Sequence, residues 1–191
     1  MRSVTVYPDP GFLSAVKTLV VGHFGVGKTT CIASISEIDP LLTEEEMTEA
    51  SVGVDDLSRT PRKRTTTVAM DFGRVTFDDD LVLYLFGTPG QERFKEMWVE
   101  LSRGAMGALV LVDPDRLPES FPLLDLVERL GLGHVIGVNH FDGTYDYPLA
   151  EVREALSLPA STPVVRCDVR DRRSVTDALV TLVRHLLSLI D

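Results

Sequence analysis

The chain predicts an α/β fold: about six strands in a mostly parallel sheet, one of them antiparallel, with helices on both faces. Three observations carry this. From residue 81 onward, short apolar β-rich runs alternate with helix-like segments. One hairpin pattern precedes that alternation, and a glycine-rich turn joins the first strand to the first helix. At 191 residues, 44% hydrophobic and 25% charged, the chain suits one soluble domain with a substantial core and is too short for two.

Taken in order, residues 1–16 contain Tyr7-Pro8-Asp9-Pro10-Gly11 and read as an irregular leader to a domain spanning 17–191. Thr18-Leu19-Val20-Val21 closes a first strand (17–21), and a helix follows over 28–38 until Asp39-Pro40 stops it. Residues 41–66 are the least patterned. Thr43-Glu44-Glu45-Glu46 offers a short helix, whereas Gly53 and Pro61 favour a mobile loop. Arg62-Lys63-Arg64 is most simply a solvated loop face, the alternative being contact with phosphate or a partner. Thr65–Phe77 alternates as a strand, Asp78-Asp79-Asp80 turns, and Leu81–Phe86 returns as a strand buried on both faces. A helix opens at Gln91, with Phe94, Met97, Trp98 and Leu101 on one side as core. Strand 105–113, helix 121–130, strand 134–139, helix 148–156, strand 163–167 and a long helix 174–189 complete the alternation.

Between the first strand and helix, Gly22-His23-Phe24-Gly25-Val26-Gly27-Lys28-Thr29 fits G-x-x-x-x-G-K-[ST], the phosphate-binding P-loop. Glycines let the backbone curl so that the N–H groups of Phe24 through Thr30 converge on phosphate oxygens, and the helix N-terminus adds positive potential. Lys28 is placed for the β- and γ-phosphates and the Thr29 hydroxyl for Mg²⁺. His23 reads as a solvent-facing loop residue. Farther on, Asp142 lies three residues after Asn139 at the end of a buried strand. A carboxylate there accepts from guanine N1–H and the exocyclic amine, a pattern adenine lacks. A missed buried partner costs roughly 1–3 kcal/mol.

A net charge of −10 disfavours nucleic acid and anionic membrane as main partners. No apolar run approaches a membrane span, Met1-Arg2-Ser3 opens neither a signal peptide nor a myristoylation site, and the C-terminus is not a prenylation box. Two cysteines, Cys31 and Cys167, fit a reducing compartment.

The P-loop, the threonine-rich strand, Phe86-Gly87-Thr88-Pro89-Gly90-Gln91-Glu92-Arg93-Phe94 and Asn139-His140-Phe141-Asp142 together resemble the Ras-like small GTPases. The similarity is greatest to the bacterial branch encoded in conservons, beside histidine-kinase-like and roadblock-domain proteins. The resemblance covers residues 17–190 and implies a Ras-like G domain that hydrolyses GTP to GDP with Mg²⁺, as a cytoplasmic switch reaching the membrane only through partners. It implies a roadblock-domain regulator and a sensor-kinase-like protein as those partners. Within it, Gln91 orients the attacking water beside Lys28, and Gly90 N–H meets the γ-phosphate. Thr67, the best aligned of Thr65, Thr66 and Thr67, joins Mg²⁺. Asn139 ties its loop to the P-loop, and a backbone N–H in Cys167-Asp168-Val169-Arg170 meets the base O6.

Three positions depart from that pattern. His140 stands for the family's lysine. Gly87 stands for its Mg²⁺-holding aspartate, which implies weaker metal dependence unless Asp71 or another carboxylate substitutes. Phe24 stands for a small residue, which implies slow hydrolysis and no arginine-finger acceleration. The span from Lys28 to the threonines is about twice the family's usual length, an enlarged first switch over about 39–67. The competing expectation is a guanine-nucleotide-binding scaffold with negligible turnover. A P-loop kinase is disfavoured by Asn139-x-x-Asp142 and by the lack of an arginine-rich lid.

Overall fold

The computed structural model describes residues 14–40, 45–46, 65–66, 71–77, 81–89 and 95–190. Strand β1 (Ser14–Val21) starts earlier than the apolar run alone suggested, because Ser14 already pairs with Leu81. Helix α1 (Lys28–Ile35) is shorter than expected. Ser36 turns to an extended conformation, and its hydroxyl accepts from Arg74 N–H at 3.3 Å. Glu37 then crosses to the sheet edge, accepting from Thr76 N–H at 3.0 Å and Thr76 Oγ1 at 2.8 Å.

The helix offered at Thr43–Glu46 and the continuous strand Thr65–Phe77 are both corrected. Two short strands, β2 (Glu45–Glu46) and β3 (Thr65–Thr66), form their own antiparallel pair. Strand β4 (Phe72–Phe77) is separate and runs antiparallel to β5 (Leu81–Gly87), with Phe72 opposite Phe86 and Phe77 opposite Leu81. With seven residues in β5, the hairpin ladder ends at Phe72, and Thr65 and Thr66 pair with Glu46 and Glu45 instead.

Helix α2 (Lys95–Ser102) is described only from Lys95, so its expected start at Gln91 and the side chains of Phe94 and Met97 lie outside the described residues. Strand β6 (Ala105–Val112), helix α3 (Phe121–Arg129), strand β7 (Gly133–Asn139), helix α4 (Leu149–Ala155), strand β8 (Val164–Cys167) and helix α5 (Arg172–Ser188) follow. A 3-10 segment, Pro114–Ser120, joins β6 to α3 and was not foreseen. The six-stranded sheet has the order β4-β5-β1-β6-β7-β8, parallel except at β4–β5.

Successive side chains of a strand point to opposite faces, so each buried strand feeds two cores. Val20, Leu83, Leu85, Leu109, Leu111 and Val135 meet α1 and α5 through Ile32, Ile35, Val175, Leu179 and Leu182. Leu19, Val21, Ala108, Val110, Val112, Ile136 and Val138 meet α2, α3 and α4 through Trp98, Leu101, Leu124, Val127 and Val152. Helices therefore cover both faces, and the fold is that of a P-loop α/β protein. In such sheets ligands bind at the carboxyl ends of the strands. There β1 delivers Gly22, β6 delivers Asp113, β7 delivers Asn139 and β8 delivers Asp168.

Candidate functional site

The loop from Gly22 to Lys28 is shaped by close contacts that only glycine permits. Gly27 adopts φ 105°, and a Cβ there would lie 2.8 Å from Val169 Cγ2 and 3.2 Å from Asn139 Nδ2. At Gly22 a Cβ would stand 2.5 Å from Val26 Cγ1 and 2.8 Å from Leu111 O. Lys28 is buried, and its ammonium donates to Gly22 O at 2.8 Å and His23 O at 2.9 Å. The lysine is thus folded back across the loop that its neighbours' N–H groups line, where a phosphate's negative charge would be met by cation and helix N-terminus together.

Thr29 follows on the first turn of α1, and its hydroxyl donates to Asp71 Oδ2 at 2.6 Å. Asp71 is buried immediately before β4, and its carbonyl accepts from Gly87 N–H at 2.8 Å. A Cβ at Gly87 would lie 3.0 Å from Asp71 Cβ and 3.1 Å from Asp71 Oδ2. The carboxylate missing from position 87 is therefore present beside it, brought by the neighbouring antiparallel strand. A threonine hydroxyl with a carboxylate, both hard oxygen donors next to a phosphate loop, suits Mg²⁺.

Asn139 joins its own loop to two others. Its Nδ2 donates to Val26 O at 2.8 Å and its Oδ1 accepts from Val169 N–H at 3.2 Å. A cavity of about 520 Å³ opens beside it, lined by Gly25, Gly27, Thr30, Asn139, Asp142 and Arg170 among others. The Asp142 side chain is 87% exposed and paired to Arg170 Nη1 at 2.9 Å. Backbone N–H groups of the last loop all have internal acceptors: Asp168 N–H donates to Ser174 Oγ, Val169 N–H to Asn139 Oδ1 and Arg170 N–H to Asp168 Oδ1. Cys167 is fully buried, and burial pushes its thiol up to about 12. Arg170 beside Asp168 holds that carboxyl below its usual range.

The structure thus gathers Gly22, Phe24, Gly25, Val26, Gly27, Lys28, Thr29, Thr30, Asn139, Asp142, Cys167, Asp168 and Val169 at one end of the sheet. Thr67, Gly90 and Gln91 lie outside the described residues. His23 is corrected: its ring is buried under the loop, not facing solvent. Its Nδ1 lies 2.8 Å from Phe24 O and 3.5 Å from Glu119 Oε2. A carbonyl only accepts, so Nδ1 carries the proton. Arg116 pins Glu119 through two 2.6 Å bonds, and burial pushes the His23 pKa down. Phe24 is also buried. Reading the sequence placed Arg170 in the last loop only for its backbone and missed the role of its guanidinium, a cation beside Asp168. It also missed Glu119, which left no signal.

Residues 20–189 match the family described as conserved hypothetical ATP binding protein. An uncharacterized protein of Methanocaldococcus jannaschii, MJ1339, is 30% identical over 129 residues, 66% of this chain and 71% of that protein. The Ras-related protein Rab-18 of Caenorhabditis elegans is 32% identical over 101 residues, 53% of this chain and 41% of that protein. The GTP-binding protein ypt2 of Schizosaccharomyces pombe is 31% identical over 101 residues, 51% of this chain and 40% of that protein. The chain spans about two-fifths of the length of these Rab and Ypt relatives. The similarity is thus to nucleotide-binding proteins of the Ras-like kind.

Proposed function

The chain belongs to the family described as conserved hypothetical ATP binding proteins, and on that premise we propose that it is a Ras-like guanine-nucleotide switch that hydrolyses GTP slowly. One observation carries the reading most directly. Asn139 bridges the P-loop carbonyl of Val26 and the Val169 loop, so Asp142 and the phosphate loop border one cavity. Phosphates on the P-loop then leave the base beside Asp142, whose carboxylate matches two adjacent N–H donors on guanine but meets an acceptor on adenine. The family's description names ATP, while the relative ypt2 carries GTP in its name. Competition of GDP and ADP for the purified protein decides between them. At least tenfold tighter GDP is expected, and equal binding overturns the guanine assignment.

In this reading Thr29 and Asp71 hold Mg²⁺, with Thr67 joining them when GTP is bound. The ion would shield phosphate charge during transfer. Gln91 orients the water and Gly90 N–H contacts the γ-phosphate. The G domain, expected over 17–191, takes in residues 14–16 as well, since β1 pairs with β5 from Ser14, and about 39–67 form an enlarged first switch. Proteolysis patterns that differ between GDP and a GTP analogue in this stretch support the switch; identical ones remove it. The conservon-type setting, with a roadblock-domain regulator and a sensor-kinase-like partner in the cytoplasm, extends the same reading.

A second reading, a scaffold with negligible turnover, is favoured by the bulky Phe24 in the phosphate loop, while Asp71 beside Gly87 removes the argument from the missing carboxylate. Single-turnover hydrolysis separates the two. A wild-type rate well above that of Gln91→Ala supports the enzyme, and two equal, near-zero rates support the scaffold.

A further inference from the structure

The Asp142 carboxylate stands on an exposed loop, yet it is not left to wander. Arg170 Nη1 donates to its Oδ1 at 2.9 Å, while Arg170 Nη2 and Nε donate to Asp168 Oδ2 and Oδ1 at 2.8 and 2.9 Å. Asp168 is in turn anchored through its own N–H to Ser174 Oγ at 2.9 Å, at the start of α5. A planar guanidinium thus ties the base-facing loop after β7 to the helix that ends the fold. Two carboxylates this close would repel without it. One Arg170 bond uses one of the roughly four acceptor sites of the Asp142 carboxylate and leaves the others for a ligand.

We propose that Arg170 is a specificity-determining residue, which bridges Asp168 to Asp142 and fixes the Asp142 carboxylate for a base with two adjacent N–H donors. The proposal rests on the guanine reading above and deepens it. Arginine suits the task because its rigid fork binds one carboxylate bidentately and still reaches a second; a lysine ammonium does not.

The test compares GDP, IDP and ADP binding by wild type, Arg170→Ala, Arg170→Lys and Asp168→Asn. IDP lacks the exocyclic amine, so the GDP-to-IDP affinity ratio reads the second hydrogen bond. Arg170→Ala is expected to weaken GDP roughly tenfold and to narrow that ratio, with ADP, held by its phosphates, unchanged. Arg170→Lys is expected to behave like Arg170→Ala, and Asp168→Asn to show part of the same loss. Thermal unfolding of the nucleotide-free variants near wild type excludes a folding defect, and a variant that melts early is replaced by Arg170→Gln. An unchanged ratio, or tighter GDP binding in Arg170→Ala, overturns the proposal, the latter because Arg170 then competes with the base. Wild type that shows no preference for GDP over ADP overturns the guanine reading itself, which is a different outcome.

Discussion

A single hydroxyl bond connects the P-loop to strand pairing. Thr29 Oγ1 donates to Asp71 Oδ2, and Asp71 takes the space that a side chain at Gly87 would need. Gly87→Asp therefore sets two carboxylates against each other in a buried place. It is expected to destabilise by about 1–3 kcal/mol in urea unfolding. Combined with Asp71→Ala, the same change is expected to lose less than the two single losses added together, because the new carboxylate inherits the place of the old one. Simple additivity would mean that the two positions do not share a site.

His23 supplies a pH dependence. Its folded pKa lies below the ordinary 6.5 because burial disfavours the imidazolium. Protons then bind the unfolded chain more readily, so the stability from neutral His23 is complete above about pH 6.5 and is lost as pH falls through the lowered value. His185 is shifted the same way and adds to the slope. Melting temperatures between pH 7.5 and 5 are expected to fall less steeply for His23→Asn than for wild type. Equal slopes would place the effect elsewhere.

Among the elements, α5 shows how sequence pattern becomes stability. Asp171 accepts from Arg173 N–H at 3.1 Å and caps the helix, and Val175, Ala178, Leu179 and Leu182 recur at helical spacing against the sheet. Asp171→Ala is expected to lose about 1 kcal/mol and Leu179→Ala about 2–5 kcal/mol, both read by denaturant midpoint. This helix, the two-faced strands β5, β6 and β7, and the phosphate loop were legible because each writes a period or a glycine spacing into seven or more contiguous residues. Short pairs were not. Glu45–Glu46 with Thr65–Thr66 has two residues a side, too few for alternation to be seen. Pro114–Ser120 has a proline at its start, another at Pro118 inside it and no periodic face, so it read as a connection. His23 was misplaced for another reason: what buries it is a turn about ninety residues away, and local polarity says nothing of that. The Asp71–Gly87 exchange was half-visible, since a missing carboxylate invites a search for another, but only the hairpin register put Asp71 beside Thr29.

Across the whole molecule, the two cysteines report on how the nucleotide site and the core hold together. Cys31 and Cys167 are free and fully buried in the core between the sheet, α1 and α5. Burial raises both thiols, Cys167 to about 12, so neither is a reactive thiolate in the folded state at neutral pH. A thiol reagent must wait for α1 or β8 to separate from the core, and those elements carry Lys28 at one end and Asp168 at the other. A ligand that binds only the folded state suppresses that opening by the factor 1 + [L]/Kd, roughly a hundredfold at 100 times Kd. Native-state labelling by a maleimide, read by mass spectrometry, is therefore expected to be slow and slowed further by GDP, in proportion to its occupancy. On the guanine reading proposed above, ADP at the same concentration is expected to slow it far less. Rapid labelling that ignores nucleotide would mean that α1 or β8 opens locally, without releasing the ligand, and that the P-loop and the last loop are not coupled as the Asn139 bridge implies.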